Sequence, residues 1–129
     1  MPSIKAIEAR LPVVDVVRSA EFFATALGFE ISTLWPQPAP EFAILKRDGL
    51  RLQLGKDESA GSGRNVSTTL WLDVEELVAL HAGIKEQTSI GWGPEVYGYG
   101  RREFGFRDPD GNLVILSEVT TDPPSCADA

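Results

Sequence analysis

Two short stretches of this chain repeat one design. Arg47-Asp48-Gly49 leads directly into LRLQL, and Arg107-Asp108-Pro109-Asp110-Gly111 leads through Asn112 into LVIL. Asp48 and Asp108 lie 60 residues apart, and two candidate helix starts, Asp15 and Asp73, lie 58 apart. A period of about half the chain means that each half must build the same supersecondary unit. This constrains the fold more than any single motif does.

Within the first half, Ile4 to Val13 reads as extended, with Ile7, Ala9 and Leu11 alternating with Glu8 and Arg10. Asp15 can cap a helix on which Val16, Ala20, Phe23 and Leu27 share a face, and Gly28 ends it. Strands are expected over Phe29 to Leu34 and Glu41 to Leu45, on either side of the proline-broken loop 35–40. Asp48-Gly49 is a tight hairpin turn, after which Leu50, Leu52 and Leu54 alternate with Arg51 and Gln53. Residues 57–65, DESAGSGRN, read as a polar linker.

The second half repeats the order. Thr68 to Leu72 is a strand candidate. Asp73 and Glu76 read as a capping box for a helix carrying Val74, Leu77, Val78 and His81. Residues 90–100 are glycine-rich and aromatic, and read as loop. Phe104 and Phe106, then Leu113 to Leu116, form a closing hairpin around the Asp108–Gly111 turn, where Pro109 presets φ and Gly111 can take a positive value. The boundaries expected are module 1 at about 3–56, a linker at 57–66, module 2 at about 67–119, and a frayed tail at 120–129.

The hairpin string GRREFGFRDPDGNLVILSE (100–118), with Tyr99 before it, resembles the closing hairpin of the vicinal oxygen chelate superfamily. That superfamily includes glyoxalase I, extradiol dioxygenases and bleomycin-resistance proteins. The resemblance runs from about Ser3 to Val119. It implies an α+β fold in which two βαβββ modules form a curved mixed sheet around a cavity.

Strand alternation separates an apolar face from a mixed face. The apolar face should pack under the helices. The mixed face either lines the cavity, as the resemblance implies, or meets solvent. Metal-dependent members of the superfamily carry one ligand on each of four cavity-facing positions. Counting from Asp15 and from the hairpins, these fall at Glu8, Gln53, Thr69 and Ile115. The family pattern is His or Gln, Glu, His and Glu, so this chain departs from it. A first-row divalent metal usually needs at least three His, Cys or carboxylate ligands, which leads us to expect no metal and no other cofactor. The only histidine, His81, lies on a predicted helix away from the cavity and is assigned to helix packing or to the surface.

Other catalytic patterns are thin. No nucleophile elbow is present. Gly98-Tyr99-Gly100 is no phosphate loop, because no helix with a basic residue follows it. Glu8, Glu103 and Arg10 could do acid–base work or could be ion-paired on the wall. What remains is aromatic: Phe42 and Trp71 on cavity-facing parity (or in ordinary core), and Trp35, Trp92, Tyr97 and Tyr99 in expected rim loops. Net charge is −7, which disfavours nucleic acid and anionic membrane and favours a cationic partner.

Together these features resemble metal-free bleomycin-resistance proteins, in which Tyr99 and Phe42 would match the drug-stacking positions and Thr69 departs from the pattern. The implied function is sequestration of a planar, cationic small molecule, such as an antibiotic, in an aromatic groove. The implied site comprises Phe42, Trp35, Trp71, Trp92, Tyr97, Tyr99, Glu8, Arg10, Gln53, Thr69, Glu103 and Ile115. The alternatives are a superfamily enzyme of isomerase or lyase type using Glu8 or Glu103, and an interaction module whose groove is a dimer seam. The resemblance further implies a homodimer. The N-terminus lacks the apolar block of a signal peptide, no apolar run reaches membrane-spanning length, and one cysteine, Cys126, allows no internal disulfide, so a cytoplasmic setting is expected.

Overall fold

The computed structural model describes residues 2–60 and 68–125. The chain divides into two compact units, Met1–Val66 and Ser67–Ala129. The first contains β1 (Arg10–Val13), α1 (Val16–Leu27), β2 (Glu30–Trp35), β3 (Phe42–Arg47) and β4 (Leu50–Lys56). The second contains β5 (Thr69–Asp73), α2 (Leu77–Ile84), β6 (Trp92–Tyr97), β7 (Arg101–Arg107) and β8 (Leu113–Val119). Each unit is therefore βαβββ. The strands form two four-stranded mixed sheets, ordered β1-β4-β3-β2 and β5-β8-β7-β6. In both, the first strand runs parallel to the last and the other pairs are antiparallel.

The first unit follows its local signals closely. Asp15 accepts a hydrogen bond from the Arg18 amide at 3.0 Å, and Gly28 closes α1 at φ 68°. Val16, Ala20, Phe23 and Leu27 are buried, as are Leu11, Val13, Ala43, Leu45, Leu52 and Leu54 on the sheet. Each large apolar side chain buried there contributes roughly 1.5–3 kcal/mol. Asp48 and Gly49 both take positive φ (53° and 78°), as a two-residue hairpin turn of this hand requires.

The first strand is shorter than expected. Regular pairing begins at Arg10, and the Ala9 carbonyl accepts one further bond from the Gln53 amide. Ile7 is 97% exposed and Ala9 is exposed, so neither joins the core. Alternation shows which residues share a face, but not how far another layer covers it. Leu50 is exposed for the same reason.

In the second unit the expected capping box does not form. Asp73 is the last residue of β5, and Glu76 precedes α2 at φ 56° with no side-chain capping bond. Backbone connections replace the cap: the Val74 amide donates to the Ser117 carbonyl, and the Glu76 amide donates to the Glu118 carboxylate. Leu77 and Ile84 are the buried residues of α2, while Val78 is exposed. His81 packs edge-on against Phe104, with ring centroids 5.0 Å apart.

The closing turn is held by side chains. Asp108 accepts from the amides of Asp110 (2.9 Å) and Asn112 (2.8 Å) and from the Asn112 side-chain amide (2.9 Å). Asn112 in turn accepts from the Thr68 amide at 3.0 Å, which ties the turn to the start of β5. Burial pushes the Asp108 carboxyl up, against these hydrogen bonds, which pull it down. Residues 120–125, read from sequence as part of a frayed tail, are tied at several points. The Ser125 amide donates to the Val96 carbonyl, the Val96 amide donates to the Ser125 hydroxyl, and Asp122 pairs with Arg102. Cys126 and residues 61–66 of the expected linker lie outside the described residues. Among the described residues no helix is long and apolar enough to cross a membrane.

Candidate functional site

Strand register sets out the mixed face of the second unit as rows. Trp92, Gly105, Ile115 and Trp71 are successive partners across β6, β7, β8 and β5. One step along lie Glu95, Glu103, Ser117 and Asp73, then Tyr97, Arg101 and Val119. Directly paired residues project to the same side, so an aromatic row adjoins a row holding three carboxylates.

The Trp92 indole lies across Gly105: a Cβ there would sit 2.7 Å from Nε1. Trp92 meets Tyr97 edge-on at 6.2 Å, and Tyr97 stacks on Tyr99 at 5.5 Å with the rings 11° apart. Trp92 and Tyr97 therefore stand on a strand where loop was expected. The glycines and proline of 90–100 had signalled loop, but a register shift between Trp92 and Glu95 absorbs them into an edge strand. Tyr99 does lie in a turn, 65% exposed.

Beneath these rings lies Glu103, only 5% exposed. One carboxylate oxygen accepts from the Tyr99 hydroxyl at 2.5 Å, the other from the Ser117 hydroxyl at 2.7 Å. The bond to Glu103, reinforced by desolvation, pushes the Tyr99 phenol up to about 12. Arg101 donates to Asp73 at 2.9 Å and to Ser117 at 3.2 Å, and its guanidinium lies 4.8 Å over the Trp71 ring. Glu95 accepts from Ser125 at 2.7 Å. Glu103, expected to be ion-paired if structural, is instead held by two hydroxyls. Two hydroxyl donors to the carboxylate stabilise its charged form.

The mixed face of the first unit is organised by arginine. Arg10 donates from Nε to Gln53 Oε1 (3.0 Å), Gln53 donates from Nε2 to Glu8 (3.0 Å), and the other Glu8 oxygen pairs with Arg51 (3.3 Å). The Arg10 guanidinium lies 4.8 Å over the Phe42 ring. Phe42 pairs in register with Trp35, which ends β2 and is exposed. The faces expected to stack a cationic ligand at Phe42 and Trp71 thus each carry an arginine of the protein itself.

The residues at the four metal positions do not fit a metal. In the first unit, both oxygens of Glu8 and the carbonyl oxygen of Gln53 are already engaged. In the second, Thr69 offers a weak hydroxyl and Ile115 no donor atom. Among the described residues no group of three or more His, Cys, Asp or Glu could hold a metal. The Ser117 and Gly105 contributions were missed from sequence. Both follow from cross-strand register, and a small residue opposite an aromatic was the only available signal.

The chain belongs to the glyoxalase/bleomycin resistance protein/dioxygenase superfamily, whose family model matches residues 4–116. No functionally curated protein matches it. Among solved structures it is similar to the bleomycin-binding protein of bleomycin-producing Streptomyces verticillus, complexed with copper(II)-bleomycin. That match has 25% identity and a TM-score of 0.70, and covers 95% of this chain and 100% of the other. TnmS3, an antibiotic-binding protein from Streptomyces sp. CB03234, is similar at 22% identity and TM-score 0.72, covering 93% and 100%. TioX from Micromonospora sp. ML1 is similar at 16% identity and TM-score 0.75, covering 89% and 98%. The latter two likenesses concern the fold.

Proposed function

We propose that this superfamily member is a metal-free small-molecule-binding protein that sequesters a planar, cationic ligand, in the manner of an antibiotic-binding protein. One observation carries the reading: the stacked Tyr97–Tyr99 pair and the Trp92 indole stand beside a row holding Glu95, Glu103 and Asp73. Aromatic faces favour a flat ligand, and carboxylates behind them favour a positive one. The arginines over Phe42 and Trp71 move the proposed stacking position to Trp92, Tyr97 and Tyr99. The likeness to a bleomycin-binding protein supports the ligand class. Glu103 as a catalytic base is the weaker reading, because its carboxylate is nearly buried and two hydroxyl hydrogen bonds stabilise its charged form. We place the protein in the cytoplasm as a homodimer. The lone cysteine suits the former, and the exposed Ile4 and Ile7 of the N-terminal segment suit a covering partner.

Calorimetric titration with bleomycin and with planar cationic dyes, run with and without a chelator, tests this. Saturable binding that survives the chelator is expected, weakened about tenfold (~1.4 kcal/mol) by Tyr99→Ala. No binding by any of these compounds, or binding indifferent to both Tyr99→Ala and Trp92→Ala, overturns it.

A further inference from the structure

Arg10 is an exposed cation of the first unit that is held at several points. Its aliphatic stem crosses β4 at Gly55, where a Cβ would lie 2.9 Å from Arg10 Cδ and 3.3 Å from Cγ. Its guanidinium lies over Phe42, and its Nε is spent on Gln53. Gln53 is oriented in turn by Glu8, and Glu8 by Arg51. Three neighbours thus fix the position of the fork, while Nη1 and Nη2 make no hydrogen bond among the described residues. The two Glu8 oxygens are engaged by Gln53 and Arg51.

We propose that Arg10 is a receptor for a planar carboxylate, taken end-on by Nη1 and Nη2, and that the favoured ligand is an aromatic carboxylate whose ring lies against Trp35. A guanidinium fork matches the two oxygens of a carboxylate, and prior immobilisation lowers the ordering cost of binding. Trp35 is the exposed register partner of Phe42, the ring beneath Arg10, so ring and charge are met on adjacent strands. Gln53 and Glu8 act as positioning residues in this scheme. Gly55 is required because any side chain there would push the arginine off the sheet.

This site uses the opposite charge from the cation reading above and does not depend on it. Benzoate and benzamidine share a ring and differ in charge, so titrating each into 15N-labelled protein separates the two. Benzoate should shift the Arg10 Nε–Hε and Trp35 indole signals saturably. Arg10→Lys, which keeps the charge and loses the fork, should weaken benzoate about tenfold and leave benzamidine unchanged. Gly55→Ala should weaken benzoate while Arg10 remains in place in sequence. Unchanged benzoate affinity in folded Arg10→Lys protein overturns the proposal, as does benzoate binding without a shift at Arg10, or no saturable benzoate binding. Loss of planar-cation binding in Tyr99→Ala with benzoate binding intact would leave this proposal standing alone.

Discussion

The Tyr99 hydroxyl donates to Glu103 at 2.5 Å, so an exposed turn residue is anchored to a nearly buried carboxylate four positions on. The bond fixes the ring that stacks on Tyr97 and couples the aromatic row to the acidic one.

That coupling predicts a split tyrosine titration. The Tyr99 phenol is raised from 10.0 to about 12, chiefly by its bond to Glu103. A raised value means the protonated phenol is favoured in the folded state. Its contribution to stability is therefore full below about pH 10 and is lost as pH climbs toward 12. In an absorbance titration one of the two tyrosines should ionise late. Glu103→Gln should bring it back toward the ordinary value, and Tyr99→Phe should abolish the late phase. A single phase near pH 10 in the parent protein would refute the coupling.

Gly105→Ala should displace Trp92. The added methyl would collide with the indole at 2.7–2.9 Å, while Ile115 and Trp71 continue the row beyond it. Altered tryptophan emission and weaker binding of a planar cation are expected, with the far-UV spectrum retained. An unchanged emission spectrum and affinity would show that the indole is not held there.

Asp108→Ala should destabilise the second unit. It removes the acceptor of three hydrogen bonds in the closing turn, and a buried donor left unpaired costs about 1–3 kcal/mol. Denaturant unfolding should report the loss. By contrast Asp48→Asn, in an exposed turn where Asn also tolerates positive φ, should be close to neutral. Equal effects of the two substitutions would contradict the assignment.

Light scattering at micromolar concentration should give the mass of two chains. Ile4 and Ile7 stand exposed on an N-terminal segment, and paired copies would cover them. Replacing both with Ser should shift the mass toward one chain. A parent protein that is monomeric throughout would remove the dimer from the proposal.

The sequence by itself determined the repeat, the order of elements and most turns, because these rest on interactions within a few residues. Asp15 and Gly28 set the ends of α1, Asp48-Gly49 made a hairpin, and the Asp108–Asn112 string closed on itself. Local reasoning failed at Asp73 and Glu76, where β5 and the bonds from Val74 and Glu76 to β8 outweighed a weak capping preference. It failed at Ile7, because alternation carries no information on what covers a face. Tertiary structure alone decided the candidate sites. Trp92 faces Gly105, Glu103 lies beside Ser117, and Arg10 settles over Phe42 through pairings between different strands, beyond the reach of local signals. The period of two fixed which side each residue takes. Only the register of one strand on the next fixed who its neighbours are.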